Sequence, residues 1–113
     1  MKQKVLIIDD EQDQCMLIAL FLTRKNYEVF CAYTLTDGLT KLKDSHPDIL
    51  LLDDNLPDGL GWAQATSIQK EFPSLKITLI SAHEASPFSV TGNGFGFTQL
   101  EKPISIKTLD SYL

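Results

Sequence analysis

Two unbroken runs of four aliphatic residues, each followed by aspartate, constrain the fold of this chain most strongly. Val5–Ile8 leads directly into Asp9 and Asp10. Ile49–Leu52 leads directly into Asp53. Short, continuous apolar runs are typical of strands buried on both faces of a parallel sheet. Because the carboxyl ends of such strands form the ligand-binding crevice of open α/β sheets, we expect the three carboxylates to lie together.

Three carboxylates in one crevice repel each other, and each is costly to remove from water without a counter-charge. A hard cation among them would offset both effects. Mg²⁺ suits such a place, because it takes oxygen ligands from one or two carboxylates together with waters and phosphates. The sequence therefore predicts a small, Mg²⁺-dependent site that handles phosphate.

Length and charge restrict the classes of function. The chain has 113 residues, which is enough for one domain, and a net charge of −5. Binding to nucleic acid requires a basic face, so this domain is not expected to bind it. No apolar stretch approaches the roughly 20 residues of a membrane span. Cys15 and Cys31 lack metal-ligand spacing, so we expect reduced core thiols in a cytoplasmic protein.

The rest of the chain alternates between strand and helix patterns. Thr36 is the expected N-cap of the second helix, and residues 56–59 are expected to form a loop. Such alternation predicts βαβ units and a parallel sheet with helices on both faces. The predicted strands are 5–8, 28–32, 49–52, 77–80 and 95–100, and the predicted helices are 12–25, 36–44, 60–72 and 105–113.

Four motifs follow the predicted strands in a fixed order. They are Asp9-Asp10-Glu11, then Asp53 with Leu56-Pro57 and Gly61, then Ser81-Ala82, and finally Lys102-Pro103. On these motifs, and along essentially its whole length (1–113), the chain resembles the receiver domain of bacterial two-component response regulators. The resemblance implies an α/β fold of three layers: a flavodoxin-like, doubly wound, five-stranded parallel sheet of order 2-1-3-4-5.

The resemblance also implies that Asp53 accepts a phosphoryl group from a histidine kinase or a phosphotransfer protein. Asp10 and Asp53 would bind Mg²⁺, or Mn²⁺ in its place, through their side chains, and Asn55 would bind through its backbone carbonyl. Asp9 would hold a water bound to the metal. Asp54 is the alternative acceptor, but neighbouring strand side chains point to opposite faces, and the motif spacing favours Asp53.

Further residues match the switching machinery of the family. Lys102 would pair with the acceptor carboxylate and then with the phosphoryl oxygens, and Ser81 would donate its hydroxyl to one of them. Pro103 is a candidate for the cis peptide that many relatives have after this lysine. Many relatives carry an aromatic residue where this chain has Gln99. Phe97, two residues earlier and on the same strand face, is the candidate switch aromatic.

Two segments depart from the family pattern. Residues 84–94, where the family has its fourth helix, contain one proline and two glycines, which disfavour a helix. We therefore expect a short, frayed or absent helix there, and an altered face for signalling and for phosphorylation-dependent dimerisation. The predicted last helix, 105–113, is shorter than the roughly 12–15 residues at which isolated helices become marginal. We expect a trimmed chain whose output domain lies beyond Leu113.

The leading interpretation is a signalling domain that is not an enzyme, since it catalyses only its own phosphorylation and hydrolysis. One alternative is an unphosphorylated pseudo-receiver that binds a partner protein. Another is a Mg²⁺-dependent phosphatase with an aspartyl nucleophile, but Asp53-Asp54-Asn55 lacks the second acid expected two residues on. Asp9 and Asp10 are also compatible with simple capping of the first helix, although capping would not call for Asp53 or Lys102.

Overall fold

Strands and helices alternate along the chain, as the sequence pattern predicts. The computed structural model describes residues 2–81, 98–101 and 107. The elements in these ranges are β1 (Lys4–Ile8), α1 (Gln12–Arg24), β2 (Glu28–Ala32), α2 (Leu35–Ser45), β3 (Ile49–Asp53), β4 (Asn55–Leu56), β5 (Gly59–Leu60), α3 (Gly61–Glu71), β6 (Lys76–Ser81) and β7 (Thr98–Glu101).

Five strands form one parallel sheet in the order β2-β1-β3-β6-β7. Counted along the chain without the short hairpin β4–β5, this order is 2-1-3-4-5, which confirms the predicted topology. The strand order reverses between β1 and β3, and ligands of doubly wound folds bind at the carboxyl ends of the strands at such a point. The acidic residues that follow β1 and end β3 therefore lie at the switch point of the sheet.

The core has two parts, one on each face of the sheet, because side chains alternate along a strand. Val5 and Ile7 of β1 pack with Ile18 and other residues of α1. Leu6 and Ile8 face the opposite way and pack with residues of α2 and α3. Each of these strand residues is fully buried, and burying such a side chain contributes about 1.5–3 kcal/mol. The expected three layers are thus present.

The structure corrects two local predictions. α2 begins at Leu35, and its N-cap is Thr34, whose side chain accepts a hydrogen bond from the Asp37 N–H at 3.1 Å. Thr36, the expected N-cap, is already inside the helix. Residues 56–59 are not a plain loop, because Asn55–Leu56 and Gly59–Leu60 pair as a short antiparallel hairpin.

Some predictions lie outside the described residues. These include the expected irregular fourth helix within 84–94 and all of the last helix except Lys107, which is helical and exposed. Among the helices of the described residues, none is long and apolar enough to span a bilayer.

Candidate functional site

The acidic residues that end β1 and β3 form one cluster. Ile8 is paired with Leu52 in the parallel sheet, so the residues that follow them lie side by side. Asp9, Asp10 and Asp53 each offer one carboxylate oxygen, and these oxygens all lie within 4.8 Å of one another. The structure therefore brings together the three carboxylates that the sequence places at the ends of the two strands.

The cluster is buried on one side and open on the other. Asp9 is 0% exposed and Asp53 is 3% exposed, whereas Asp10 is exposed. Two carboxylates buried this close together destabilise each other strongly unless positive charge or hydrogen bonds compensate them. Access to the cluster from solvent is on the side of Asp10.

Backbone contacts fix Asp9 at the start of α1. The Asp9 N–H donates to the Ala32 carbonyl at 3.0 Å, which ties the residue to the end of β2. Its Oδ1 accepts a hydrogen bond from the Glu11 N–H at 3.0 Å. Glu11, the N-cap residue by position, makes no side-chain cap. Asp9 thus binds an N–H group at the start of the helix and also belongs to the acidic cluster, so the capping interpretation and the cluster interpretation both hold for it.

The backbone around Asp53 is held by its neighbours. The Asp54 N–H donates to the Ile80 carbonyl of β6 at 3.1 Å, and the Asp54 carbonyl accepts from the Gly61 N–H at 2.7 Å. A Cβ atom on Gly61 would overlap the carbonyl oxygen of Asp53. The close approach of α3 to β3 therefore requires glycine at position 61, which gives a physical reason for that part of the motif.

One residue beside the site, Asp58, was not predicted from the sequence. Its carboxylate accepts hydrogen bonds from the Leu35 N–H at 2.7 Å, the Thr36 N–H at 2.9 Å and the Thr36 hydroxyl at 2.6 Å. These bonds, the Thr36 hydroxyl foremost, lower the pKa of Asp58 to about 2. No local signal marks this contact, because the partners lie 22 and 23 residues away along the chain.

The other predicted site residues are described only in part. Asn55 is the first residue of β4, two residues after Asp53, and Ser81 ends β6 with its backbone paired to Glu101 of β7. The side chain of Ser81 lies outside the described residues, as do Phe97, Lys102 and Pro103. The position of Ser81 at the end of β6 puts its backbone at the same sheet edge as Asp53.

The donor set of the cluster fits a hard divalent cation. The three groups are carboxylates, and oxygen-only ligands suit Mg²⁺ and Mn²⁺ rather than softer metals. A bound cation would also balance the charge that burial of Asp9 and Asp53 leaves in the crevice. The residues present are therefore compatible with the expected Mg²⁺ site.

Comparison with known proteins gives one family. The family model described as the response regulator receiver domain matches residues 5–113. A CheY-like response regulator receiver domain protein from Methanospirillum hungatei JF-1 is 25% identical, with a TM-score of 0.89 over 99% of this chain and 90% of that chain. Chemotaxis protein CheY4 of Vibrio cholerae is 25% identical, with a TM-score of 0.87 over 99% and 96%. NtrX from Brucella abortus is 28% identical, with a TM-score of 0.85, and the match covers 99% of this chain but 26% of that chain.

Proposed function

This chain belongs to the response regulator receiver domain family of two-component signalling, and on that basis we propose that Asp53 is its phosphoryl acceptor. The donor is a histidine kinase or a phosphotransfer protein. Transfer forms a bond between an Asp53 oxygen and phosphorus and breaks the bond between phosphorus and the donor's imidazole nitrogen. Phosphorylation then changes the conformation that a partner or output domain reads.

One observation supports this proposal above others, namely the cluster of Asp9, Asp10 and Asp53. Asp53 ends β3, the central strand of the sheet, between the ends of β1 and β6. Asp9 and Asp10 lie on the β1 side, and the backbone of Ser81 lies on the β6 side. A phosphoryl group on Asp53 would therefore have acidic metal-binding groups on one side and a hydroxyl-bearing residue on the other.

The chain's own groups have distinct tasks in this proposal. Asp53 provides the attacking carboxylate oxygen, and Asp9, Asp10 and the Asn55 carbonyl hold the cation with it. A bound Mg²⁺ or Mn²⁺ supplies positive charge that offsets the phosphoryl oxygens. Because catalysis of phosphoryl transfer consists mostly of positioning and charge compensation, a fixed Asp53 backbone contributes directly.

The proposal also includes residues whose roles are inferred from sequence motifs alone. Lys102 follows β7 and would neutralise the acceptor carboxylate and later the phosphoryl oxygens. A lysine ammonium suits both tasks, because it is a compact charge with rotatable donors. Ser81 would donate its hydroxyl to a phosphoryl oxygen, and a cis bond before Pro103 would aim the lysine at the site. Phe97 would be the switch aromatic. If Phe97→Leu leaves both phosphorylation and the downstream response unchanged, that last assignment is wrong.

Intact-mass analysis after incubation with acetyl phosphate and Mg²⁺ tests the acceptor directly. We expect one phosphoryl adduct on the wild-type protein, dependent on Mg²⁺, and no adduct on Asp53→Asn. Asp54→Asn is the matched control, because it removes the neighbouring carboxylate and should keep the adduct. Absence of an adduct on the wild type, under conditions that modify another receiver, would instead favour an unphosphorylated protein-binding domain.

We further propose that the domain acts on no substrate except its own phosphoryl group. Release of phosphate from a generic phosphomonoester at a rate that depends on Asp53 would contradict this and indicate a phosphatase. We propose that the protein acts in the cytoplasm. Its conformational change is passed to an output domain or a partner protein. Dimerisation on phosphorylation is part of the proposal, and light scattering before and after acetyl phosphate treatment tests it.

A further inference from the structure

The two cysteines of the chain are neighbours at the contact between α1 and β2. Cys15 is fully buried on α1, and Cys31 is partly buried on β2. The Cys31 thiol lies 3.9 Å from the backbone carbonyl of Cys15, to which it donates a weak hydrogen bond. The Cys15 thiol donates in turn to the backbone carbonyl of Asp9 at 3.7 Å. Cys15 therefore contacts the backbone of one residue of the acidic cluster, and both cysteines lie on the α1 side of the sheet.

The surroundings of Cys31 favour its thiolate. Hydrogen bonding with the Cys15 side chain is the main cause that lowers the pKa of Cys31 to about 7, and the nearby charge of Lys41 lowers it further. Burial and the charge of Asp9 act in the opposite direction but are outweighed. Lys41 is held close, because its ammonium donates to the Cys31 carbonyl at 2.5 Å. A thiolate is the reactive form of cysteine towards peroxides and disulfides.

We propose that Cys31 and Cys15 form an oxidant-reactive thiol pair, in which a peroxide oxidises Cys31 and Cys15 resolves the product as an intramolecular disulfide. The Cys31 sulfur attacks one peroxide oxygen, the O–O bond breaks, and a sulfenic acid and water form. The Cys15 sulfur then attacks the Cys31 sulfur and releases a second water. Two thiols and one hydrogen peroxide thus give one disulfide and two waters, and a dithiol reductant reverses the step.

Two observations distinguish this pair from two ordinary core cysteines. The two cysteines belong to different elements, yet the Cys31 thiol lies within weak hydrogen-bonding distance of the Cys15 backbone carbonyl. Only Cys31 is partly accessible, which assigns the first oxidation to it and the resolving step to Cys15. The bond would join α1 to β2 and remove the thiol hydrogen that Cys15 donates to the Asp9 carbonyl.

Peptide mapping of peroxide-treated protein tests the proposal without any phosphorylation assay. Trypsin cleaves after Lys4, Arg24, Lys25 and Lys41, so Cys15 falls in peptide 5–24 and Cys31 in peptide 26–41. We expect these two peptides to appear joined after oxidation and to separate on reduction with dithiothreitol. Oxidation of the exposed Met16 adds one oxygen to peptide 5–24 and is resolved from the cross-link by mass.

Two variants separate the roles of the thiols. In Cys15→Ala the sulfenic acid on Cys31 has no resolving partner, so we expect dimedone to label peptide 26–41. In Cys31→Ala we expect no dimedone label on Cys15. The proposal is overturned if the wild type gives a disulfide between two molecules, a sulfinic acid on Cys31 or no change at all. Peptide mapping of the wild type, together with its intact mass under non-reducing conditions, decides the matter, so a poorly folded variant does not affect the test.

Discussion

Asp58, between β4 and β5, connects this hairpin to the first turn of α2 through a single exposed carboxylate. Because its pKa is lowered from 3.8 to about 2 in the folded protein, the ionised form stabilises the fold. This contribution is fully present above the unfolded-state pKa of 3.8 and is lost as the pH falls towards about 2.

We therefore expect the melting temperature of the wild type to fall more steeply between about pH 4 and pH 2 than that of Asp58→Asn. Thermal unfolding followed by circular dichroism at several pH values measures the difference. Asp44→Asn, which removes an exposed carboxylate from the other end of α2, is the control and should keep the wild-type slope. Parallel pH curves for the wild type and Asp58→Asn would contradict the stabilising role of the Asp58 hydrogen bonds.

Substitution of Gly61, with Gly59 as the control, tests how closely α3 approaches Asp53. A Cβ atom on Gly61 would overlap backbone, whereas one on Gly59 would meet only the Leu35 Cδ2 atom, at 3.2 Å. We expect Gly61→Ala to destabilise the protein by about 1–3 kcal/mol, as overpacking does, and to lower the rate of phosphorylation at Asp53. Gly59→Ala should change both much less. Urea unfolding and acetyl phosphate labelling give the two readouts, and equal effects of the two changes would contradict this account.

α1 shows that an apolar residue on a helix is not always a core residue. Both Ile18 and Leu17 fit helical apolar stripes in the sequence, yet Ile18 is buried and Leu17 is 52% exposed. Met16 and Leu20 are exposed as well, at 63% and 54%. Only one side of α1 contacts the sheet, through Cys15, Ile18 and Leu22, and the periodicity alone does not identify that side.

The two sides of α1 should respond differently to the same substitution. We expect Leu22→Ala to cost about 2–5 kcal/mol, because it removes a fully buried side chain and leaves a cavity. Leu17→Ala should change the free energy of unfolding by no more than about 0.5 kcal/mol, since its side chain is mostly in solvent. Denaturant unfolding of the two variants checks the assignment, which fails if the costs are similar.

The start of α2 and the β4–β5 hairpin were not predicted correctly from the sequence. Thr34 and Thr36 are equally good N-cap residues by type, and the choice between them depends on Asp58, which binds from a distant loop. Leu56 of the β4–β5 hairpin likewise packs in the core with residues distant along the chain. Such contacts between distant segments are not visible in local sequence patterns.

For the whole molecule, the sequence predicted a parallel sheet and the acidic cluster because both follow from where buried strands end, whereas the strand order was implied by the family resemblance. Continuous aliphatic runs mark β1 and β3, and parallel neighbours bring Asp9, Asp10 and Asp53 to one edge. The hydrogen bonds of Asp58 to the start of α2 and the neighbouring positions of Cys15 and Cys31 were not predicted. They depend on how α1 and α2 pack on the sheet, which periodicity does not specify.

Repulsion among the three carboxylates at one edge of the sheet should lower the free energy of unfolding of the metal-free protein. We expect Asp53→Asn to stabilise the metal-free protein by on the order of 1 kcal/mol, because it removes repulsion with Asp9 and Asp10. Mg²⁺ should increase the free energy of unfolding of the wild type by about 2.7 kcal/mol at a hundredfold excess over Kd, because it binds the folded state only, and so raise its melting temperature. It should have little effect on Asp53→Asn. Melting curves with Mg²⁺ and with EDTA measure both, and a wild type insensitive to Mg²⁺ would contradict the metal site.

The segment from Asp53 to Gly61 is held at both ends and near its middle. Its ends are held by β6 and by the approach of α3 to the Asp53 carbonyl, and Asp58 ties it to α2. These contacts restrain this short segment along its length, so we expect it to move as a unit. We therefore expect a displacement of the Asp53 backbone to reach the start of α2 unless the hydrogen bonds of Asp58 break first.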